Sequence, residues 1–246
     1  MDFVFEQFLK NMVFQFKQFA VAQDRCVMKI GTDGVLLGAW ADTNGAKTAL
    51  DIGTGSGVIA IMLGQKNDDL AVHAVEIDEN AAQQCQENMK AAPWATRLTT
   101  HHMAIQDFVE NTDNHYDLIV SNPPFFSGGT FSSDENRNNV RHTIKLPHGD
   151  LLNAAKQLLS QNGKFCVILP HIEGLRFVEL AENYHLYCTK ITEVKGLAEK
   201  PVERLLLQFE LEKKSLTTTE LTIQHQKRND WTDDYIALTK DFYLHL

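Results

Sequence analysis

The run Asp51-Ile52-Gly53-Thr54-Gly55-Ser56-Gly57 limits what this chain can fold into more than any other stretch. An apolar segment, residues 48–52, precedes it and a helical pattern, 58–64, follows it. Three alternating glycines let the backbone turn sharply and come close to a ligand, while the next helix aims its free N–H groups at the same place. A strand, a glycine turn and a helix make half of a βαβ unit, and the alternation continues. Strands are expected at 72–77, 98–102, 116–121 and 164–169, and helices at 79–90, 151–159 and 173–183. That order predicts an α/β, Rossmann-like fold: a mostly parallel sheet with helices on both faces. Two further strands, 187–194 and 204–212, follow each other with no helix between them, which points to an antiparallel edge pair.

The first 45 residues read differently. Residues 14–16 and 27–30 look like strands around a polar turn at Gln23-Asp24-Arg25, and Thr32 or Asp33 is placed to cap a helix over 35–40. Near the other end, Trp231, Tyr235, Leu238 and Phe242 recur at helical spacing, a stripe that suits packing on a core. There are no repeats and no linker. The reading is an N-terminal extension, residues 1–45, on one domain, 46–246.

Cys26, Cys85, Cys166 and Cys188 are far apart and form no CxxC pair, and the histidines lack ligand spacing. No metal is expected, and a reducing compartment is. The opening residues carry Asp2, Glu6 and Lys10 where a signal peptide would need a basic segment and an apolar one. No apolar run approaches the roughly 20 residues of a membrane span, so the expected location is cytoplasmic. The net charge of −9 argues against a nucleic-acid partner until it is divided. Residues 51–110 hold 3 Lys/Arg against 9 Asp/Glu, whereas 111–160 hold 4 against 5. The acid sits in the glycine-turn half, and the other half is free to carry a local basic patch.

Two ligands suit the glycine turn. The dinucleotide fingerprint has its third glycine one position later, whereas Asp51 at the strand end suits a ligand bearing an ammonium group, such as S-adenosyl-L-methionine. Glu76, at the end of the second strand, can accept both ribose hydroxyls of an adenosine. Asp78 is better placed to cap the next helix. Asp107 follows the third strand and is either an acceptor for an adenine amine or a solvated loop carboxylate.

The fourth strand runs straight into Asn122-Pro123-Pro124-Phe125. Two prolines stiffen a loop and remove its donors, leaving carbonyls outward. A planar amine has two N–H donors, which the Asn122 side-chain oxygen and the Pro123 carbonyl can accept. Phe125 can stack on the flat group. Catalysis would rest on positioning more than on a strong base.

Asp51–Gly57 with Glu76 and residues 122–125 resemble the class I S-adenosylmethionine-dependent methyltransferases that act on amines. That resemblance implies a seven-stranded sheet with a reversed last strand, and methylation of adenine, guanine or a glutamine amide. A narrower resemblance rests on Phe19-Ala20-Val21-Ala22-Gln23, on Lys29 through Trp40, on Asn122-Pro123-Pro124-Phe125-Phe126, on Arg141-His142 and on the ending from Tyr235 to Tyr243. These blocks are similar to the bacterial tRNA1(Val) adenine-N6 methyltransferases, and they imply methylation of adenine 37, next to the anticodon, in that tRNA. Phe125 departs from the more frequent Tyr and keeps the ring face without the hydroxyl. The resemblance brings Lys29, Thr32 and Asp33 near the cofactor, with a plain helix cap as the alternative for the last two. Pro124 and Phe126 would flank the substrate. Arg137, Arg141, Lys195, Lys200 and Arg204 are candidates for phosphate contacts. A monomer is expected. The competing readings are methylation of a protein glutamine amide or of rRNA guanine N2, a nicotinamide-dependent oxidoreductase, and a non-enzymatic binding module.

Overall fold

The computed structural model describes residues 13–124 and 146–245. A short hairpin, β1 (Val13–Gln15) and β2 (Ala20–Ala22), leads into helix α1 (Thr32–Trp40). The alternating part follows: β3 (Thr48–Ile52), α2 (Val58–Lys66), β4 (Ala71–Glu76), α3 (Glu79–Ala91), β5 (Leu98–His102), α4 (Ile105–Glu110) and β6 (Tyr116–Ser121). Next come α5 (His148–Leu158), β7 (Leu159–Pro170), α6 (His171–Glu182), β8 (Tyr187–Leu197), β9 (Arg204–Glu210), β10 (Thr217–Gln224) and α7 (Asp233–Thr239). Among these residues no helix is long and apolar enough to cross a membrane.

The main sheet runs β10-β8-β9-β7-β6-β3-β4-β5. Every pairing is parallel except those of β9, which opposes both β7 and β8. The expected seven strands are therefore eight among the described residues. The extra strand, β10, pairs parallel to β8, and its first four residues are exposed, so it has no apolar periodicity to betray it. The expected edge pair is also corrected: β9 inserts between β7 and β8, and β10 forms the edge.

Side-chain alternation along the strands gives each face its own core. Ala49, Val72, Ala74, Leu118 and Val120 pack with α1, α2 and the N-terminal Phe16, Phe19 and Val21. Leu50, Ile52, Val75 and Ile119 pack with α4, α5 and α6. The N-terminal segment thus shares one core with the sheet. Phe16 bridges to Tyr243, and Tyr235 and Phe242 are buried, as the helical stripe at 231–242 predicts.

Two N-terminal expectations fail. Residues 27–30 are not a strand, and Val27 and Met28 are 75% and 57% exposed, because the chain has left the hairpin and crosses the end of the sheet. Helix α1 starts at Thr32 with Gly31 as its N-cap, and no side chain caps it. Its other end is closed by Lys66, whose ammonium donates to the carbonyls of Gly38, Ala39 and Ala41.

Helix α3 lies tight under the glycine turn. Gly57 holds φ +84°, and a Cβ there would stand 2.9 Å from Cys85 Sγ. Gly57→Ala is expected to cost about 1–3 kcal/mol of stability, read from denaturant unfolding, from left-handed strain together with the clash. Cys85→Ala in the same chain should recover only the steric part.

Candidate active site

Parallel strands that end together present their next residues to one cleft. The residues one past β3, β4, β5 and β6 are Gly53, Ile77, Met103 and Asn122, and all four line a single pocket with a cavity volume of about 230 Å³. The Ser121 hydroxyl donates to the Ile52 carbonyl at 2.8 Å, which fixes the start of the Asn-Pro-Pro turn beside the glycine turn. Residues 26–31 form another wall.

Gly53, Gly55 and Gly57 hold φ angles of +71°, +57° and +84°. A Cβ on Gly53 or Gly55 would meet nothing within 4 Å. Both line the pocket, whereas Gly57 sits behind it as the N-cap of α2. Glu76 braces the turn from β4: one carboxylate oxygen accepts the Gly55 N–H at 2.9 Å, and the other accepts those of Ile77 and Asp78. Asp78 caps α3 through the Ala81 N–H, as expected.

Asp51 supports the turn from beneath. It is fully buried and outside the pocket lining, and its Oδ2 accepts from the Thr54 hydroxyl at 2.6 Å and the Ala60 N–H at 3.2 Å. Its Oδ1 has no partner among the described residues. Burial pushes this carboxyl up to about 7, against the opposing pull of those two hydrogen bonds. Asn122 Oδ1 is likewise buried without a partner among the described residues, and it belongs to a residue that lines the pocket. A buried, unpaired acceptor is costly, and one on a cleft-lining residue is a candidate to receive a ligand's donor.

The other sequence candidates divide. Pro123, Pro124 and Lys29 line the pocket, with the Lys29 ammonium on the Gln23 and Cys26 carbonyls. Thr32 is exposed on the first turn of α1 and outside the lining. Asp33 turns to Arg204, whose Nε donates to it at 2.9 Å. Asp107 is exposed on α4, a helix the sequence pattern did not reveal, and Gln106 lines the pocket in its place. Lys195 pairs with Glu220 at 2.6 Å, and Lys200 stands in the loop between β8 and β9, so these two and Arg204 share the carboxyl end of the sheet with the pocket. Phe125, Phe126, Arg137 and Arg141 lie outside the described residues. Ile77 and Met103 were missed; counting one residue past the expected strand 98–102 would have found Met103, but Ile77 was hidden because β4 ends at Glu76, one residue before the expected bound.

The pocket suits S-adenosylmethionine on the structure's own terms. The glycine turn gives a close-approach backbone, Glu76 keeps acceptor capacity at a strand tip, and apolar Ile77 and Met103 stand beside it.

The chain matches the family model for the methyltransferase small domain over residues 29–194, which sets its class. It is 44% identical over 241 residues, 97% of its length and 100% of the relative's, to the tRNA1(Val) (adenine(37)-N6)-methyltransferase of Christiangramia forsetii. It is 45% identical over 233 residues to the protein of that name in Trichodesmium erythraeum, covering 94% of this chain and 97% of the other. Among solved structures, a predicted O-methyltransferase from Agrobacterium tumefaciens shares the fold with a TM-score of 0.69 at 16% identity, over 85% of this chain and 96% of that one. This chain belongs to the tRNA1(Val) (adenine(37)-N6)-methyltransferase family.

Because the folded-state pKa of Asp51 lies above the ordinary carboxylate value of 3.8, its contribution to stability is full below that value. The contribution is lost as pH rises through about 7. Asp51→Asn has no such loss. The stability of the variant relative to the parent is expected to rise by about 4 kcal/mol between pH 4 and pH 8, measured by urea unfolding without ligand.

Proposed function

We propose that this chain transfers a methyl group from S-adenosyl-L-methionine to the N6 amine of adenine 37 in tRNA1(Val), the activity in the names of its relatives. One observation carries the reading: Asn122, whose buried side-chain oxygen has no partner among the described residues, lines the same cleft as the glycine turn, in a chain 44% identical to such a protein over nearly its full length.

When bound, S-adenosylmethionine supplies a methyl group on a positively charged sulfur, an electrophile that a weakly basic amine can attack. The chain's own residues hold the partners. Glu76 takes the ribose hydroxyls with the acceptor capacity left after its three backbone bonds. Asp51 favours the ligand's cationic end from beneath the turn. Asn122 Oδ1 accepts one N–H of the adenine amine and the Pro123 carbonyl accepts the other, which directs the nitrogen lone pair at the methyl group. Neither acceptor is a strong base, so the barrier falls through orientation and fixed dipoles; the nitrogen–carbon bond forms as the methyl–sulfur bond breaks, and the methylated nitrogen then gives its extra proton to water.

Residues 1–45 act as an extension whose 26–31 stretch covers the cofactor, on a catalytic domain formed by 46–246. Lys195, Lys200 and Arg204 meet RNA phosphates, the first and last after exchanging their present carboxylate partners. A base beside the anticodon is cheaply unstacked, so a compact monomer in the cytoplasm needs no separate RNA-binding domain.

Calorimetric titration with S-adenosylhomocysteine should show binding, with no response to NADH; the reverse pattern would end the methyltransferase reading. Asn122→Ala should abolish turnover on tRNA while holding S-adenosylhomocysteine affinity within about threefold. Survival of activity would remove Asn122 from its role. Lys200→Ala is expected to raise the KM for tRNA several-fold and to lower the salt slope of binding by about one.

A further inference from the structure

We infer that Asn88 is a positioning residue that ties the strap of residues 22–31, over the pocket, to the glycine turn beneath it. The inference rests on the reading of the pocket as a cofactor site. Asn88 lies on α3 and is 5% exposed. Its Oδ1 accepts the Ala22 N–H at 2.9 Å, while its Nδ2 donates to the Ala22 carbonyl and to the Ser56 carbonyl, each at 2.8 Å. The two bonds to Ala22 imitate a neighbouring strand at the end of β2. The third reaches the glycine turn, where Ser56 lines the pocket. An acceptor and two donors on one rigid plane is what a primary carboxamide offers, and no hydroxyl or carboxylate can replace it.

Neighbouring residues extend the attachment. Gln84, 1% exposed and one helical turn earlier, accepts the Arg25 N–H at 3.0 Å, and Glu87 pairs with the Arg25 guanidinium. Positions 84, 87 and 88 share one face of α3. Within the strap, Gln23 accepts the Ile30 N–H at 2.7 Å and Lys29 bonds the Gln23 and Cys26 carbonyls, so the segment holds together as a unit. One buried amide thus touches the segment that walls the pocket and the turn that floors it. If the strap lifts, Asn88 loses two of its three hydrogen-bond partners. A ligand that orders the turn therefore orders the strap, and the converse holds by linkage.

The test compares the parent with Asn88→Ala, Asn88→Asp and Gln84→Ala, by S-adenosylhomocysteine titration and by trypsin cleavage after Arg25 and Lys29. Asn88→Ala is expected to weaken S-adenosylhomocysteine binding about 10-fold or more, and Asn88→Asp, of the same shape but without the two donors, at least as much. Both should be cleaved in the strap faster than the parent without ligand, and protected only at correspondingly higher ligand concentration. Gln84→Ala should show the same pattern more weakly. The turnover rate at saturating cofactor should stay within about threefold of the parent's, because Asn122 and Pro123 are untouched. Lower melting temperatures with unchanged affinity and strap cleavage would reduce Asn88 to a structural role and overturn the inference. A parent that does not bind S-adenosylhomocysteine would defeat the cofactor reading. The cleavage comparison without ligand would then still decide whether Asn88 holds the strap, and equal rates would overturn it.

Discussion

The turn from β3 into α2 must reverse the chain in five residues, keep its N–H groups inward and leave room above them. It does so with three left-handed glycines resting on α3, where Cys85 fills the space a Gly57 side chain would need. Much of the site follows from this packing. Because α3 is pressed against the turn, its Asn88 reaches the Ser56 carbonyl, and β4 is held close enough for Glu76 to accept the Gly55 N–H. Asp51 is sealed beneath, where burial raises its pKa and the Thr54 and Ala60 bonds keep the turn in shape.

The other side of the cleft is set by α1. Lys66 closes its carboxyl end and the Asp33–Arg204 pair anchors its first turn to the start of β9. Gly34, on that first turn, passes beside the Asn122 amide, where an added Cβ would lie 4.0 Å from Nδ2. The Asn122 side-chain oxygen is buried there without a partner among the described residues, and the proposed reading gives it an N–H of the substrate amine. On the proposed reading the two halves of the cleft divide the chemistry, with the methyl donor on the glycine turn and the amine at the end of β6.

Features that depend on local backbone demands were legible in the sequence. The bounds of β3, β5 and β6 match the expected runs; β3 and β6 are mostly apolar, whereas β5, Leu98–His102, is a polar strand with two β-branched threonines. Gly53, Gly55, Glu76 and Asn122 converge on one pocket because strand ends in a parallel sheet converge, while Asp51 lies beneath it. Features that depend on tertiary partners were hidden. Strand β10 is stabilised by pairing with β8 despite a polar, mostly exposed sequence, and Val27 and Met28 are apolar because they wall a pocket rather than because they form a strand. The short helix α4 turns Asp107 outward and Gln106 inward, a one-residue register that spacing alone does not fix. Asn88 and Gln84 look like solvated residues of an amphipathic helix until backbone from a distant segment is laid against them.

The most direct measurement is methyl transfer from labelled S-adenosylmethionine into total tRNA from a strain lacking this protein, followed by nucleoside analysis and mapping of the modified position. The account predicts label as N6-methyladenosine at position 37 of one valine tRNA. Label absent from tRNA, or appearing instead in protein or in rRNA, would contradict it.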